Sequence, residues 1–124
     1  MGAPGTMGLE QLIEMSRKCR IDILRMTHAA GAGHPGGSLS AIDAMVALYG
    51  RVLRFDPNNT DWDDRDRFVM SKGHASPAMY SLLHQYGILD DDEIMSFRRM
   101  GSPCQGHVDM DWTDGVDFLS LIHI

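Results

Sequence analysis

Three histidines follow a glycine in turn-like stretches, and imidazole can give or take a proton near neutral pH. They are His34 in GHPGGSLS, His74 in SKGHASP and His107 in QGHVDM. Glycine lets a ligand come close to the backbone, and a turn that enters a helix N-terminus offers N–H groups to an anion. A single Gly-His pair is equally compatible with a helix cap or a surface residue. The set of three predicts a site for a polar, phosphorylated substrate.

Helical patterns surround these turns. Apolar residues recur at helical spacing from Leu9 to about Ala30, where the glycines of GAGHPGG end the helix. A second helix is predicted to begin at Ser38 or Ser40, and Ser40 with Asp43 resembles a capping box. The apolar face expected for the first helix is Leu12, Ile13, Cys19, Ile23, Met26 and Ala30. That expected for the second is Ile42, Met45, Val46, Leu48 and Val52.

The middle of the chain alternates between strand and helix signals. RFVMS, residues 67–71, is predicted to be a buried strand that leads into Gly73. A helix follows, with Pro77 in its first turn and Gly87 just past its end. A short helix should then begin after Asp90 as N-cap. Helices with one clear strand predict the beginning of an α/β fold rather than a complete sheet domain.

Composition excludes several functional classes. The 124 residues carry a net charge of −6, which argues against nucleic acid and anionic membranes as partners. No apolar run is long enough to span a bilayer, and the N-terminus lacks a secretory signal. Residues 1–8 are expected to be a flexible lead-in. Cys19 and Cys104 predict reduced thiols in a cytoplasmic protein, and Cys104 with His107 gives too few ligands for a zinc site.

The last six residues, LSLIHI (119–124), are also the translation of CTGTCTCTTATACACATC. That DNA looks like the mosaic end of a transposon-based sequencing adapter. We therefore expect residues 119–124 to be an adapter artefact and native sequence to end at about Phe118. The alternative is a genuine apolar strand at the end of the chain.

Three segments, in their order and spacing, resemble the N-terminal region of transketolase: GAGHPGGSLSAIDAMVALY, DRDRFVMSKGHASPAMYSLLHQYG and GHVDM. The resemblance covers Leu9 to Phe118 and is closer to the N-terminal subunit of split, two-gene transketolases. Single-chain members more often read GHPGAP with SNGH. The resemblance implies a thiamine diphosphate-binding fold, in which a parallel sheet has helices on both faces. Residues 9–118 would be the N-terminal part of that domain.

The resemblance also implies an activity, the transfer of a two-carbon ketol unit from a ketose phosphate to an aldose phosphate. His74 and Gly73 match residues beside the diphosphate of thiamine diphosphate. His34 matches a residue that contacts substrate and assists proton transfer, and His107 one near the donor's terminal hydroxyl. Mg²⁺ or Ca²⁺ is expected as the metal, although the family's GDG…Asn metal motif is missing from these 124 residues. This chain alone is therefore expected to be inactive.

The resemblance further implies a C-terminal, pyrimidine-binding subunit as partner in a homo- or hetero-oligomer. Two alternatives stay open. One is a split enzyme of the same class that acts on a different sugar. The other is a non-catalytic binding module that has kept the histidine turns.

Overall fold

The computed structural model describes residues 6–31, 35–71 and 75–104. Within them lie four α-helices and one π-helical segment: α1 Leu9–Ala30, α2 Pro35–Ala47, the π-segment Leu48–Val52, α3 Ser76–Gln85 and α4 Asp91–Met95. α1 is the central element, because it packs against α2, α3 and α4, while α2 also packs against α3. None of the helices in these ranges is long and apolar enough to cross a membrane.

The first helix has the bounds that its periodicity predicted. At its start the N–H of Gly8 donates to Oε1 of Gln11 at 2.9 Å. At its end Gly31 takes the left-handed conformation, with φ of 63°, and its N–H donates to the carbonyl of His28. A residue with a Cβ would be strained there, so glycine fixes the point at which the chain leaves the helix.

The buried face of α1 differs from the predicted one at several positions. Cys19, Ile23 and Met26 are fully buried, as expected. The prediction that Ile13 faces the core is wrong, since Ile13 is 60 % exposed and Met15 is buried instead. Asp22, which the apolar pattern did not include, is only 3 % exposed. The core-facing stripe therefore includes a carboxylate.

The second helix begins earlier than predicted, at Pro35. Proline suits the first turn of a helix because its φ is preset and its missing N–H would have no helical partner. The predicted capping box at Ser40 is wrong. Ser40 lies inside the helix, where its hydroxyl donates to the carbonyl of Gly37 at 2.9 Å. The carboxylate of Asp43 accepts from Arg20 of α1 at 2.6 Å instead.

The π-segment changes which residues face the core. Tyr49 and Gly50 are buried, whereas Val52 is 64 % exposed, contrary to the predicted face. A wider helical turn shifts the register of every later side chain, so a regular 3.6-residue pattern fails beyond Ala47.

The end of the predicted lead-in, residues 6–8, is packed rather than loose. Met7 is fully buried, and its N–H donates to the carbonyl of Gly50 at 3.3 Å. A Cβ on Gly50 would lie 2.5 Å from Cδ2 of Leu12 and 3.1 Å from Sδ of Met7. Glycine at position 50 therefore allows the chain before α1 to pack directly on the π-segment.

The predicted strand at residues 67–71 is not a strand in the part of the chain that the structure describes. A single β-bridge residue occurs there, Val69, and its side chain is 48 % exposed. Met70 is buried. A strand needs a paired neighbour along its length, and the described residues supply none here.

The third and fourth helices follow the sequence signals. Pro77 lies in the first turn of α3, and Gly87 has a φ of 82° just past its end. Asp90 caps α4, since its carboxylate accepts the N–H of Glu93 at 2.7 Å. Glu93 accepts the N–H of Asp90 in return, at 3.1 Å. This reciprocal capping box explains how a helix as short as α4 can form.

Candidate active site

The predicted site residues fall in the parts of the chain outside the described residues. This holds for His34, Gly73, His74 and His107. The described chain resumes at Pro35 and at Ala75, directly after the first two Gly-His pairs. The structure therefore describes the segments on either side of these two Gly-His pairs.

The helices that follow the first two Gly-His pairs begin side by side. Ser38, in the first turn of α2, is fully buried, and its hydroxyl accepts the backbone N–H of Ala78 at 3.3 Å. Ala78 is the third residue of α3. The bond joins residues 40 positions apart in the sequence. It brings together the starts of the two helices that follow His34 and His74.

The first turn of α3 has little capping of its own. Ala75 stands at the N-cap and has no side-chain oxygen that could accept a hydrogen bond. Pro77 has no N–H, and the N–H of Ala78 is taken by Ser38. The start of α3 therefore receives its side-chain cap from Ser38 of α2.

The described residues do not include a metal centre. Within residues 6–31, 35–71 and 75–104, no group of three or more His, Cys, Asp or Glu could hold a metal ion. Cys104 is buried, and the other residue of the weak pair considered above, His107, lies outside the described ranges.

Neither cysteine is suited to be a nucleophile. Both are free and fully buried, and burial raises the pKa of each thiol to about 12. A thiol with that pKa carries almost no thiolate at neutral pH. Cys19 is therefore a core residue, as the helical pattern predicted, and Cys104 is one as well.

A polar cluster that the sequence pattern did not reveal lies at the other end of α3. The Asp22 carboxylate contacts Nδ1 of His84 at 2.6 Å and accepts from Nε2 of Gln85 at 2.8 Å. Arg25 donates to Asp22 at 3.3 Å and also pairs with Asp91 of α4 at 2.9 Å. The cluster thus connects α1, α3 and α4.

Two further histidines, His84 and His28, lie inside helices. His84 binds Asp22 through Nδ1, while His28 is exposed in the last turn of α1. In the acidic run at residues 61–67, Asp66 pairs with Arg54, twelve residues earlier, at 3.1 Å.

The arrangement of helices matches solved enzyme structures over most of the chain. The transketolase from Campylobacter jejuni subsp. jejuni superposes with a TM-score of 0.83 at 34% identity, covering 92% of this chain and 18% of that one. The transketolase from Leishmania mexicana gives the same TM-score at 32% identity, covering 88% of this chain and 16% of that one. The described helices therefore have the fold of the corresponding part of these transketolases.

Sequence comparison gives the family. Residues 9–120 match the family described as "Transketolase, thiamine diphosphate binding domain". The transketolase of Sinorhizobium medicae (strain WSM419) is 43% identical over 90 residues, which cover 71% of this chain and 13% of that protein. The "6-deoxy-6-sulfo-D-fructose transketolase subunit SqwG" of Clostridium sp. (strain MSTE9) is 42% identical over 87 residues, covering 70% of this chain and 32% of that protein. The chain belongs to the transketolase family, and it spans only a minor part of the length of these relatives.

Proposed function

We propose that this chain is the N-terminal region of a transketolase that transfers a two-carbon ketol unit from a ketose phosphate to an aldose phosphate. The observation that carries the proposal is the Ser38–Ala78 hydrogen bond, which brings together the helices that follow His34 and His74. Two histidine turns that begin neighbouring helices can serve one cleft. The family match over residues 9–120 supports thiamine diphosphate as the group bound there.

The chain's own residues would divide the work between binding and proton transfer. Gly73 and His74 directly precede α3 in the sequence, and a helix N-terminus suits contact with the diphosphate. His34 would contact substrate and move a proton at the acceptor aldehyde, and His107 would contact the donor's terminal hydroxyl. Thiamine diphosphate, when bound, supplies the carbanion chemistry at its thiazolium carbon.

The metal ligands and the complete sheet would lie beyond these residues. Mg²⁺ or Ca²⁺ would be held by oxygen ligands from the GDG…Asn motif of a complete protein. A complete protein would form the parallel sheet, with residues 9–118 contributing the first part of the domain. The 124-residue chain by itself would be inactive. Two buried free thiols are compatible with a cytoplasmic location.

A split enzyme with a separate C-terminal subunit is our preferred assembly. It is supported by the GHPGGSLS and SKGH motifs and by the relative named as a subunit, of which this chain spans 32%. That relative is also named for a sulfonated sugar. A second candidate function is therefore ketol transfer on such a sugar rather than on a sugar phosphate.

The first experiment is to sequence the source DNA across codon 118 by a method without adapters. A reading frame that continues into a glycine-rich loop and GDG agrees with the proposal, and its length distinguishes a split from a single-chain enzyme. A genuine LSLIHI followed by a stop codon would leave this product without a metal site, and the enzyme proposal would fail for it.

The second experiment replaces His34 with Ala in the complete protein, with its partner subunit where the enzyme is split. Turnover should fall about 10²- to 10⁴-fold, since general acid–base groups contribute on this scale. Thiamine diphosphate affinity, measured by calorimetry, should change little. His28→Ala is the matched control, because His28 is exposed in the last turn of α1. Unchanged turnover in His34→Ala would refute the role of His34. Testing both ketose phosphates and a sulfonated ketose distinguishes the two substrate classes.

A further inference from the structure

We propose that residues 6–8, the N-terminal arm, select the π-helical register of the segment that follows α2. The arm docks on the π-segment through Met7, which contacts Gly50 and Arg51. None of these residues belongs to the site proposed above. The role of the arm and the proposed activity can therefore be tested separately.

The π-segment differs from an α-helical end by one residue in its hydrogen-bond register. The N–H of Leu53 donates to the carbonyl of Leu48 at 2.7 Å, five residues earlier. In an α-helix the same N–H would donate to the carbonyl of Tyr49. Because π-helical turns are rare, contacts from outside the helix must favour this one.

The arm supplies such contacts at the end of the helix. The last carbonyl groups of a helix have no N–H partner within it. Here the carbonyl of Gly50 accepts the N–H of Met7 at 3.3 Å. Nη1 of Arg51 donates in turn to the carbonyl of Met7 at 3.0 Å. Both backbone polar groups of Met7 are therefore bonded to consecutive residues of the π-segment.

Packing links the arm to the same register. Met7 is fully buried, and a Cβ on Gly50 would lie 3.1 Å from its sulfur and 2.5 Å from Cδ2 of Leu12. A slip of one residue turns the later residues by about 100° around the helix axis. The slip would move the Gly50 carbonyl and the Arg51 side chain away from the arm. Docking of the arm and the π register therefore stabilise each other.

The register also determines what the segment after α2 buries. Tyr49 is buried and packs edge-on against Phe55 and Phe68, with ring centroids 5.0 and 5.7 Å apart. Val52 is 64% exposed. These aromatic contacts are the rival explanation for the π-turn, because they too could hold Tyr49 in place. A test of the arm must separate the two.

The direct test identifies the acceptor of the Leu53 N–H by nuclear magnetic resonance on the 124-residue chain. A scalar coupling across a hydrogen bond connects the donor nitrogen with the carbonyl carbon of its acceptor. In the wild-type chain the coupling should connect Leu53 with Leu48. In Met7→Ala it should connect Leu53 with Tyr49, because the truncated side chain no longer fills its place beside the π-segment.

Two variants of the arm region serve as controls. Leu9→Ala shortens an apolar side chain two residues away that is 72% exposed, so the coupling between Leu53 and Leu48 should stay. Met7→Leu keeps nearly the same volume and should also keep that coupling. A change of register in Leu9→Ala would show that the effect is not specific to Met7.

Phe55→Leu tests the rival explanation. If the arm selects the register, this variant should keep the coupling between Leu53 and Leu48, although it weakens the contact with Tyr49. Loss of the coupling in Phe55→Leu, with the coupling retained in Met7→Ala, would assign the π-turn to aromatic packing and overturn the proposal.

Arg51→Met keeps the proposal testable if Met7→Ala does not fold. Arg51 is exposed, so its replacement spares the core while it removes the donor to the Met7 carbonyl. Amide hydrogen exchange at Met7 and at Leu53 should both become about fivefold faster. Faster exchange at Met7 with an unchanged rate at Leu53 would mean that the arm and the register are uncoupled. A wild-type chain in which Leu53 couples to Tyr49 would equally contradict the proposal.

Discussion

The two ends of α3 are held by polar contacts of very different kinds. At its start, one neutral hydrogen bond joins Ala78 to the hydroxyl of Ser38. Near its end, the carboxylate of Asp22 contacts both His84 and Gln85 at 2.6–2.8 Å. Hydrogen bonds to charged groups are shorter and stronger than neutral ones. The polar contact next to the proposed site is thus neutral, whereas that at the far end involves a carboxylate.

This difference has an energetic basis. A carboxylate as buried as Asp22 loses most of its hydration, and hydrogen bonds must offset that cost. Its donors come from α1 and α3, so the cost is offset only when the two helices are packed in one register. A neutral hydroxyl such as that of Ser38 carries no comparable penalty. The contacts of Asp22 therefore help to fix the register of α1 on α3.

The largest expected effect is the loss of the charged contact. Asp22→Ala should lower the free energy of unfolding by about 3 kcal/mol, because it leaves His84 and Gln85 without their acceptor in a largely buried place. Urea denaturation followed by circular dichroism measures the change.

Asp43→Ala is the control for this prediction. Asp43 of α2 also pairs with α1, through Arg20, but the side chain of Asp43 is 65% exposed. Asp43→Ala should lower the free energy of unfolding by less than about 1 kcal/mol. Similar costs for Asp22→Ala and Asp43→Ala would show that the buried cluster is not a special support of α3.

The sequence was sufficient to predict helix bounds where the apolar pattern is regular or a local helix-end signal is present. α1 has its predicted bounds, and the Pro77, Gly87 and Asp90 signals mark real helix ends, because each depends on local backbone chemistry. The register beyond Ala47 could not be predicted, since a π-helical segment breaks the 3.6-residue period. The start of α2 was missed although a first-turn proline is a known signal.

The contacts that hold α3 were beyond the reach of sequence patterns. Asp22 occupies a core position that an apolar pattern treats as an exception, and its partner His84 is 62 residues away. Ser38 could be expected near a helix start, but its partner Ala78 is determined by tertiary packing alone. Local periodicity contains no information on such pairs.

The second expected effect is smaller and tests whether the two ends are independent. Ser38→Ala should lower the free energy of unfolding by about 1 kcal/mol, the usual cost of losing a helix cap. In the double variant with Asp22→Ala, the losses in the free energy of unfolding of the two single variants should add to within about 0.5 kcal/mol. The reason is that the two residues share no hydrogen-bond partner. Denaturation of the single and double variants gives the coupling energy.

A coupling energy above about 1 kcal/mol would contradict this independence. It would mean that α3 responds as one rigid body, so that loosening either end affects both.

The smallest expected effect concerns the exposed edge of the Asp22 cluster. Arg25 bonds Asp91 through its two terminal guanidinium nitrogens, at 2.9 and 3.0 Å, and holds the pKa of that carboxyl below its ordinary value. A carboxyl with a lowered pKa in the folded state stabilises the fold above its ordinary pKa, and the contribution is lost as the pH falls through the folded-state value. The pair is solvent-exposed, so this contribution should stay below about 1 kcal/mol.

Asp91→Asn should therefore weaken the loss of stability as the pH falls below the ordinary pKa of the carboxyl, measured by urea denaturation at several pH values. Asp92→Asn is the control, because Asp92 shares the first turn of α4 and has the same favourable interaction with the helix dipole. Equal pH profiles for the two variants would assign the effect to the dipole rather than to Arg25. A flatter profile for Asp91→Asn alone would show that the charged support of α3 extends through Arg25 to α4.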